Sequence, residues 1–373
     1  EGHWIALAVA GDQGLEAWDR GDLHAVARIC RETMASLIQP AEREGERVPG
    51  ACFTYVLLGR TLVEWNALAE AEPLLIRGVK LAEQIVQPGM QVDGCRALAR
   101  LHCIQGHYRE AHTWTDKALQ ACRWDPGRLH SLRARIWLAQ AEDDPRWLEN
   151  AIQWADGCVL ADPGEYRWEL QSVVRVRVAQ YRAYGEPGLM PVLAVLDQQI
   201  EAPAETSSGW QVEMLTLKAL LLQALRRMEE AMPPLAHALA VAKATGRVLA
   251  FLDHGPPMVE LLHEAVRQDV ETGYARQILI AFEAQGYVEK HQTRQRLPLK
   301  EMPSAQAGLV EPLSEREMQV LRLLRSTLSQ PEIADQLYVS VNTIRSHVSH
   351  IYAKLGVHGR IAAVARAEEL GLL

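Results

Sequence analysis

The 373-residue chain contains no Gly-Lys dipeptide, and this absence excludes the GxxxxGK[ST] loop that cradles nucleotide phosphates. It also has no apolar run near 18 residues and no signal peptide. Nothing therefore predicts insertion into a membrane or export. We expect a cytoplasmic protein with no cofactor bound to this chain.

Cysteine is sparse and unpaired: none of the six cysteines forms a CxxC pair, and none follows Cys158. This pattern favours buried free thiols in a reducing compartment.

His102, His107 and His112 are five residues apart, whereas a metal site on one helix needs spacings of three or four, so we predict no metal site. Residues 207–209 lack the GxSxG frame of a nucleophilic serine. No other nucleophile–base arrangement stands out, and we predict that the chain is not an enzyme.

Alternating strand patterns are also scarce, while Ala, Leu, Glu, Gln and Arg dominate, which predicts an all-α fold.

The net charge of −8 argues at first against binding to nucleic acid. However, residues 311–373 hold seven basic and seven acidic residues, so the acidic excess lies upstream. Within that neutral region, Val341 to Arg360 contains three basic residues and no acid. The basic footprint is local and modest, which predicts weak monomer binding and a need for dimers.

A short motif with a central alanine recurs through residues 1 to about 250. Its copies are LAEAEPLL, YREAHTWT, LENAIQWA and MEEAMPPL, which align Ala71, Ala111, Ala151 and Ala231. The first three alanines are 40 residues apart and the last is twice that distance away, so a degenerate copy falls at Pro191. An earlier unit around Ala25 is slightly out of phase, and turn residues such as Gly21, Gly106 and Gly185 precede the copies. The pattern resembles tetratricopeptide repeats with a longer unit, and it predicts an α-solenoid of helical hairpins with a period of about 40.

The stretch from Val341 to Leu355 predicts a helix with two different faces. The apolar stripe consists of Val341, Ile344, Val348, Ile351 and Leu355. The opposite face is small and polar, with Arg345 and His350 on its flanks. A helix with a buried back and a front free of negative charge fits a DNA major groove.

The preceding elements complete a helix-turn-helix. Two capping boxes, Ser314 to Glu317 and Ser329 to Glu332, each predict the start of a short helix. Ser340 is the predicted cap of the helix from Val341. Two short helices followed by a turn and a polar-faced helix are typical of DNA-binding domains.

Four segments carry a specific resemblance: LSEREMQVLRLL, LSQPEIADQL, VNTIRSHVSHIYAKLGV and RIAAVARAEELGLL. Together they resemble the LuxR-type DNA-binding domain over the last sixty or so residues, with a departure at Thr327, where the family usually has glycine. The resemblance implies a fourth helix at about Arg360 to Glu369 that pairs with a second copy.

The resemblance also implies roles for single residues. The base-reading positions would be Arg345, Ser346 and Ser349, and the contacts to the DNA backbone would be Ser329, Thr343 and Lys354. We add His350 as a phosphate contact because of its place on the helix. In the fourth helix we expect Ile361, Val364 and Ala365 to contribute to dimerisation.

The sequence GRVLAFLDHGPPMVELL resembles the end of the sensor region in MalT-like LuxR regulators. That resemblance implies a helical cap at about 240–289, which closes a helical-repeat sensor or interaction domain at 1–289. A Pro-containing polar linker at 290–312 would lead to the DNA-binding domain at 313–373. Such regulators usually carry an upstream ATPase domain, so we expect either a fragment or a regulator without one.

Two hypotheses follow. In the first, the chain is a bacterial transcription regulator that binds double-stranded promoter DNA as a homodimer, contacts RNA polymerase and responds to an unknown inducer or partner protein at the solenoid. In the second, it is an interaction scaffold whose helix-turn-helix mainly dimerises. Its ten tryptophans all precede residue 211 and favour hairpin packing, with Trp114, Trp137 and Trp154 as weak candidates for ligand binding.

Overall fold

The computed structural model describes residues 2–45, 48–122, 124, 126–158, 167–185, 188–201, 207–284, 313, 315–325, 328–336, 341–355, 357 and 360–369. Within these stretches the regular structure is helical and includes no strand, which confirms the predicted all-α fold. The chain divides into an N-terminal unit, Glu1–His291, and a C-terminal unit, Gln292–Leu373. The division falls inside the predicted linker at 290–312, whose residues lie outside the described stretches.

The N-terminal unit is a succession of helices joined by short turns. Its α-helices are α1 (Gly2–Asp19), α2 (Leu23–Thr33), α3 (Gln39–Arg43), α4 (Cys52–Glu64), α5 (Leu68–Gln84), α6 (Pro88–Ile104), α7 (Tyr108–Ala121), α8 (Gly127–Gln140), α9 (Arg146–Asp156), α10 (Arg167–Tyr184), α11 (Met190–Glu201), α12 (Ser208–Ala224), α13 (Met228–Thr245), α14 (Leu249–Leu252), α15 (Pro256–Arg267) and α16 (Thr272–Ala284). A π-helical turn at Met34–Ile38 joins α2 to α3, and a 3₁₀ turn at Pro49–Ala51 leads into α4. The even-numbered helices from α4 to α12 begin 36 to 41 residues apart, which confirms a repeat of about 40.

The aligned alanines lie near the start of the second helix of their hairpins, where a small side chain lets two helices approach. Ala71, Ala111, Ala151 and Ala231 are all fully buried. The out-of-phase unit differs, because Val26 and Ala27 are the buried positions of α2 and Ala25 is half-buried. In the degenerate copy, α11 packs against α12.

The approach of α4 and α5 shows why the sequence needs small residues between repeat helices. A Cβ on Gly59 would lie 2.6 Å from Cγ of Leu75, and one on Gly78 would lie 2.7 Å from Cγ2 of Val56. Neither distance is compatible with a side chain at these positions unless the helices separate. Packing of this kind fixes the helix pair at one spacing.

The turns between helices use left-handed backbone conformations. Gly21, Gly106 and Gly185 have φ angles of +77°, +77° and +74°, which confirms the turns predicted there. In other inter-helix turns the same region is occupied by residues with a Cβ. Val86, for example, has a φ of +53°.

The two ends of the repeat array contact each other. The indole Nε1 of Trp65 donates to the carbonyl of Thr245 at 3.0 Å, and the amide of Val248 donates to the carbonyl of Glu64 at 3.0 Å. Farther along, the hydroxyl of Ser208 donates to the carbonyl of Gly21 at 3.2 Å. The repeat pattern does not predict this closure. Each unit of a repeat array contacts its neighbours, so the pattern of one unit does not show how far the whole array turns as a superhelix.

The last helices cover the end of the array. The predicted break at 255–257 is confirmed, since Gly255 has a φ of +62° and Pro256 is the first residue of α15. Both α15 and α16 pack against α13, and Phe251 and Phe282 are fully buried. This is the covering that a terminal repeat requires.

The C-terminal unit is built around one central helix. Its helices are α17 (Glu315–Leu324), α18 (Gln330–Gln336), α19 (Val341–Leu355) and α20 (Arg360–Glu369), and α17, α18 and α20 all pack against α19. The buried core comprises Leu313, Val320, Leu321, Leu324, Ile333, Ala334, Ile344, Val348, Ile351, Leu355, Ala363 and Ala367. The predicted four-helix arrangement is confirmed for the stretches described.

No helix in those stretches, in either unit, is both long and apolar enough to cross a membrane.

Candidate functional site

The helix α19 has the two faces that its sequence predicts. Ile344 and Ile351 are fully buried and Val348 is nearly so, while Val341 is half-buried against the same core. On the other side, the side chains of Thr343, Arg345, Ser346 and His350 are exposed. The exposed group contains the predicted base-reading residues Arg345 and Ser346 on one helix surface. Ser349 belongs to the helix, but its side chain lies outside the described residues, so its role stays a prediction.

The second capping box forms as predicted at the start of α18. The amide and hydroxyl of Ser329 both donate to Oε2 of Glu332, at 2.7 Å and 2.6 Å, and the amide of Glu332 donates to the hydroxyl of Ser329 at 3.5 Å. These hydrogen bonds stabilise the ionised carboxylate and lower the pKa of Glu332. Ser329 is exposed at the helix start, a position compatible with a DNA phosphate. Ser314, Thr327 and Ser340 lie outside the described residues.

Lys354 makes a contact that its sequence position does not predict. Its Nζ pairs with Oε2 of Glu317 at 3.0 Å, and the two side chains are 18% and 5% exposed. The pair joins α19 to α17 across 37 residues of sequence, beyond the reach of any local pattern. Lys354 therefore has a structural role, whether or not it also contacts a phosphate.

Arg360 is also engaged within the unit. Its Nε donates to the carbonyl of Leu324 at 2.9 Å, and its Nη1 donates to the carbonyl of Leu328. These bonds satisfy acceptors at and beyond the end of α17. Of the three cations counted in Val341 to Arg360, two thus hold helices together and Arg345 lies on the exposed face. The basic footprint is smaller than the count suggested.

The predicted dimerisation residues lie on α20. Val364 is half-buried against the core of the unit, while the side chains of Ile361 and Ala365 lie outside the described residues. Dimerisation through this helix stays a prediction.

The three candidate ligand-binding tryptophans lie in packing positions. Trp114 is half-buried against an apolar cluster that includes Ala111 and Ile136, and Nζ of Lys117 lies 5.0 Å from its ring centroid. Trp137 and Trp154 share a different apolar cluster. The structure therefore does not place all three around one opening.

The cysteines and histidines have structural surroundings. All six cysteines are free thiols; Cys30, Cys52 and Cys95 are buried, and the others are half-buried. Burial raises the pKa of Cys30 to about 12, so it is protonated at neutral pH. Within the described stretches, no group of three or more His, Cys, Asp or Glu side chains is arranged to hold a metal ion.

A cavity of about 160 Å³ lies inside the N-terminal unit, where the two ends of the array meet. Its walls include two tryptophans, Trp18 and Trp210, and two carboxylates, Glu64 and Glu213. The arginines that line it are Arg60, Arg96, Arg100, Arg128, Arg135 and Arg247. No local sequence pattern predicts this site, because these residues are scattered over five helices and a turn.

Two family models match this architecture. Residues 4–268 match the MalT-like TPR region, and residues 311–367 match the bacterial regulatory proteins of the luxR family. The chain belongs to the MalT-like regulators of the LuxR family. The resemblance of the repeats and of the last sixty or so residues to this family is thus confirmed.

Curated proteins are similar to this MalT-like chain over most of its length. The HTH-type transcriptional regulator MalT of Serratia proteamaculans is 25% identical over 355 residues, and the proteins of that name from Yersinia enterocolitica and Yersinia pestis are 24% identical. Each match covers 88% of this chain and 37% of the relative. The chain thus spans little more than a third of the length of these regulators.

Proposed function

We propose that the chain regulates transcription by binding double-stranded promoter DNA through α19. The observation that carries this proposal is the division of α19 into a buried apolar back and an exposed face with Arg345 and Ser346. The match of residues 311–367 to the luxR family supports the same role. A helix of this kind presents side chains to base edges in the major groove.

Within the groove, Arg345 would donate two hydrogen bonds to O6 and N7 of a guanine. Ser346 and Ser349 would add direct or water-mediated contacts to neighbouring bases. Thr343, Ser329 and His350 would contact the phosphates and fix the register without reading sequence. Lys354 would add a phosphate contact beside its pair with Glu317.

The modest charge of this surface favours binding as a dimer through α20 on paired half-sites. With Arg345 as the exposed cation among the three of Val341 to Arg360, few phosphates are neutralised by one copy, and two copies double the contacts. We propose that the repeat array receives a small-molecule or protein signal, that the bound dimer contacts RNA polymerase, and that the chain acts in the cytoplasm without catalysing a reaction. The names of the relatives favour this regulator over a pure scaffold.

Selection from a random double-stranded DNA library, using the 373-residue chain, tests the proposal. We expect enrichment of a defined sequence and a footprint of two half-sites. Binding that is equally strong on all sequences and disappears with added salt would support the scaffold instead. A matched selection at two salt concentrations separates the two results.

A further inference from the structure

The inner cavity of the N-terminal unit carries more positive than negative charge. Four carboxylates pair with the arginines around it: Asp93 with Arg60 and Arg96, Glu64 with Arg100 and Arg247, Glu213 with Arg135 and Arg175, and Asp253 with Arg100 and Arg135. Together with Arg128 on the wall, seven arginines face four carboxylates. Among the described residues, the cluster therefore has three more positive charges than negative ones.

Burial makes this excess of positive charge energetically unfavourable. Burial and the neighbouring charge of Arg128 lower the pKa of Arg96 well below its usual value. Burial and the charge of Arg175 likewise lower the pKa of Arg135 to about 10. His254, also buried beside Arg175, has its pKa lowered well below the usual value and is neutral at pH 7. The cluster therefore holds like charges at close range in a poorly solvated space.

Three of the arginines also have unused hydrogen-bonding capacity. The Nε atoms of Arg100, Arg175 and Arg247 are buried and make no hydrogen bond, although all three guanidinium groups are paired through their Nη atoms. The side chain of Arg247 is only 8% exposed. Buried polar atoms normally have partners, so these unpaired atoms indicate a group that the protein alone does not supply.

The cavity is reachable and has an apolar wall. The side chains of Arg96 and Arg100 are 15% and 22% exposed, so solvent enters. Trp210, Leu132 and Ala250 are largely buried and form apolar surface beside the arginines. Since one water needs roughly 10–15 Å³ of such volume, the 160 Å³ available fits a small organic molecule.

We propose that this cavity binds a small organic anion, with its carboxylate or phosphate group against the arginines and its apolar part against Trp210 and Leu132. This rests on the proposed function, because it assigns the class of signal that the repeat array receives. The walls come from both ends of the array, Trp18 and Arg60 from one and Trp210 and Arg247 from the other. A bound anion would therefore favour the closed array over any open form.

Thermal unfolding of the 373-residue chain tests the assignment. The probes are sodium chloride, inorganic phosphate, succinate and benzoate at equal ionic strength and pH. We expect at least one of the three test anions to raise the Tm by several degrees over chloride, with a saturable concentration dependence. Phosphate also stabilises proteins non-specifically, and variants separate that effect from binding.

Arg128→Gln and Arg96→Gln each remove a charge from the cavity wall, and both should weaken the apparent anion affinity about 10-fold or more. Arg128→Lys should retain most of the response because it keeps the charge. Arg267→Gln is the matched control, since its side chain is 74% exposed on α15 and outside the cavity wall, and it should respond as the unmodified chain does. The use of two cavity variants keeps the test valid if one of them fails to fold.

Two results would overturn the assignment. One is that none of the three test anions raises the Tm of the unmodified chain more than chloride does. The other is a response that persists undiminished in both Arg128→Gln and Arg96→Gln, which would place the anion elsewhere. A chain that binds the anion through the cavity but selects no DNA sequence would refute the proposed function alone. A chain that selects DNA but binds none of the anions would refute the cavity assignment alone.

Discussion

Arg247 donates a hydrogen bond to Glu64 at 3.0 Å across 183 residues of sequence. Glu64 also accepts a hydrogen bond from Arg100 at 2.8 Å, so a single carboxylate joins α4, α6 and the turn after α13. Because all three side chains are largely buried, the carboxylate compensates two cations that water cannot reach freely. The closure of the repeat array thus depends on the carboxylate of Glu64, whose charge is paired with both arginines.

Replacing Glu64 with glutamine should destabilise the N-terminal unit strongly. The substitution keeps the shape of the side chain but leaves Arg100 and Arg247 without this charge, which should lower the free energy of unfolding by about 3–5 kcal/mol. Urea unfolding followed by circular dichroism measures the change. Glu16→Gln is the control, because its pair with Arg20 at 2.7 Å is exposed and should contribute less than about 1 kcal/mol. Equal losses in both variants would contradict the proposed role of Glu64.

The same carboxylates predict the response of the protein to acid. Burial alone would raise the pKa of Glu64, but Arg100 and Arg247 outweigh it and the pKa is lowered below 4.5; that of Asp93 is likewise lowered below 3.8 by Arg60 and Arg96. A carboxylate with a lowered pKa in the folded state contributes stability that is present above its unfolded pKa and is lost as the pH falls through the folded pKa. The Tm should therefore be insensitive to these groups near neutral pH and should fall progressively below about pH 4.5. In Glu64→Gln this acid-dependent fall should be smaller, and a fall of the same size would contradict the assignment.

Lys354 and Arg345 should separate stability from DNA recognition. Removing Lys354 takes this ion pair from the carboxylate of Glu317, which is 5% exposed, so Lys354→Ala should lower the stability of the C-terminal unit by about 1–3 kcal/mol. The double variant Glu317→Gln with Lys354→Met removes both charges and should recover most of this loss. If the double variant recovers stability but still binds all DNA sequences more weakly, Lys354 contacts a phosphate as well. If it recovers both, the role of Lys354 is confined to the fold.

Arg345→Ala should leave the stability of the chain unchanged, because its side chain lies on the exposed face of α19. We expect it to reduce the preference at one base pair by about 1–3 kcal/mol. Competition binding with duplexes that differ at single positions of the selected site measures this preference. Ser329→Ala is the comparison for a residue that contacts the DNA backbone, and it should weaken binding to all duplexes alike. An unchanged base preference in Arg345→Ala would show that α19 is placed differently in the groove.

Much of this architecture follows from local patterns in the sequence. The stripe from Ile344 to Leu355 predicts the buried back of α19, and the spacing of the alanines from Ala71 to Ala231 predicts the repeat. Local patterns cannot report which residues meet after the array turns back on itself. The pairs Glu64–Arg247 and Glu317–Lys354 join positions 183 and 37 residues apart, and each could equally have been a solvated surface charge. The inner cavity was missed for the same reason, since its arginines come together only through the superhelical turn.

Val86 identifies a place where the chain can be stabilised without changing a contact. Its φ of +53° is unfavourable for a β-branched residue, and its side chain is 80% exposed in the turn between α5 and α6. Asparagine tolerates this conformation, so Val86→Asn should raise the free energy of unfolding by about 1 kcal/mol. Val9→Asn, at a half-exposed position within α1, makes the same chemical change in a helical backbone and should lower stability slightly. Urea unfolding of the two variants decides the point, because equal effects would mean that side-chain polarity, and not backbone conformation, governs the result.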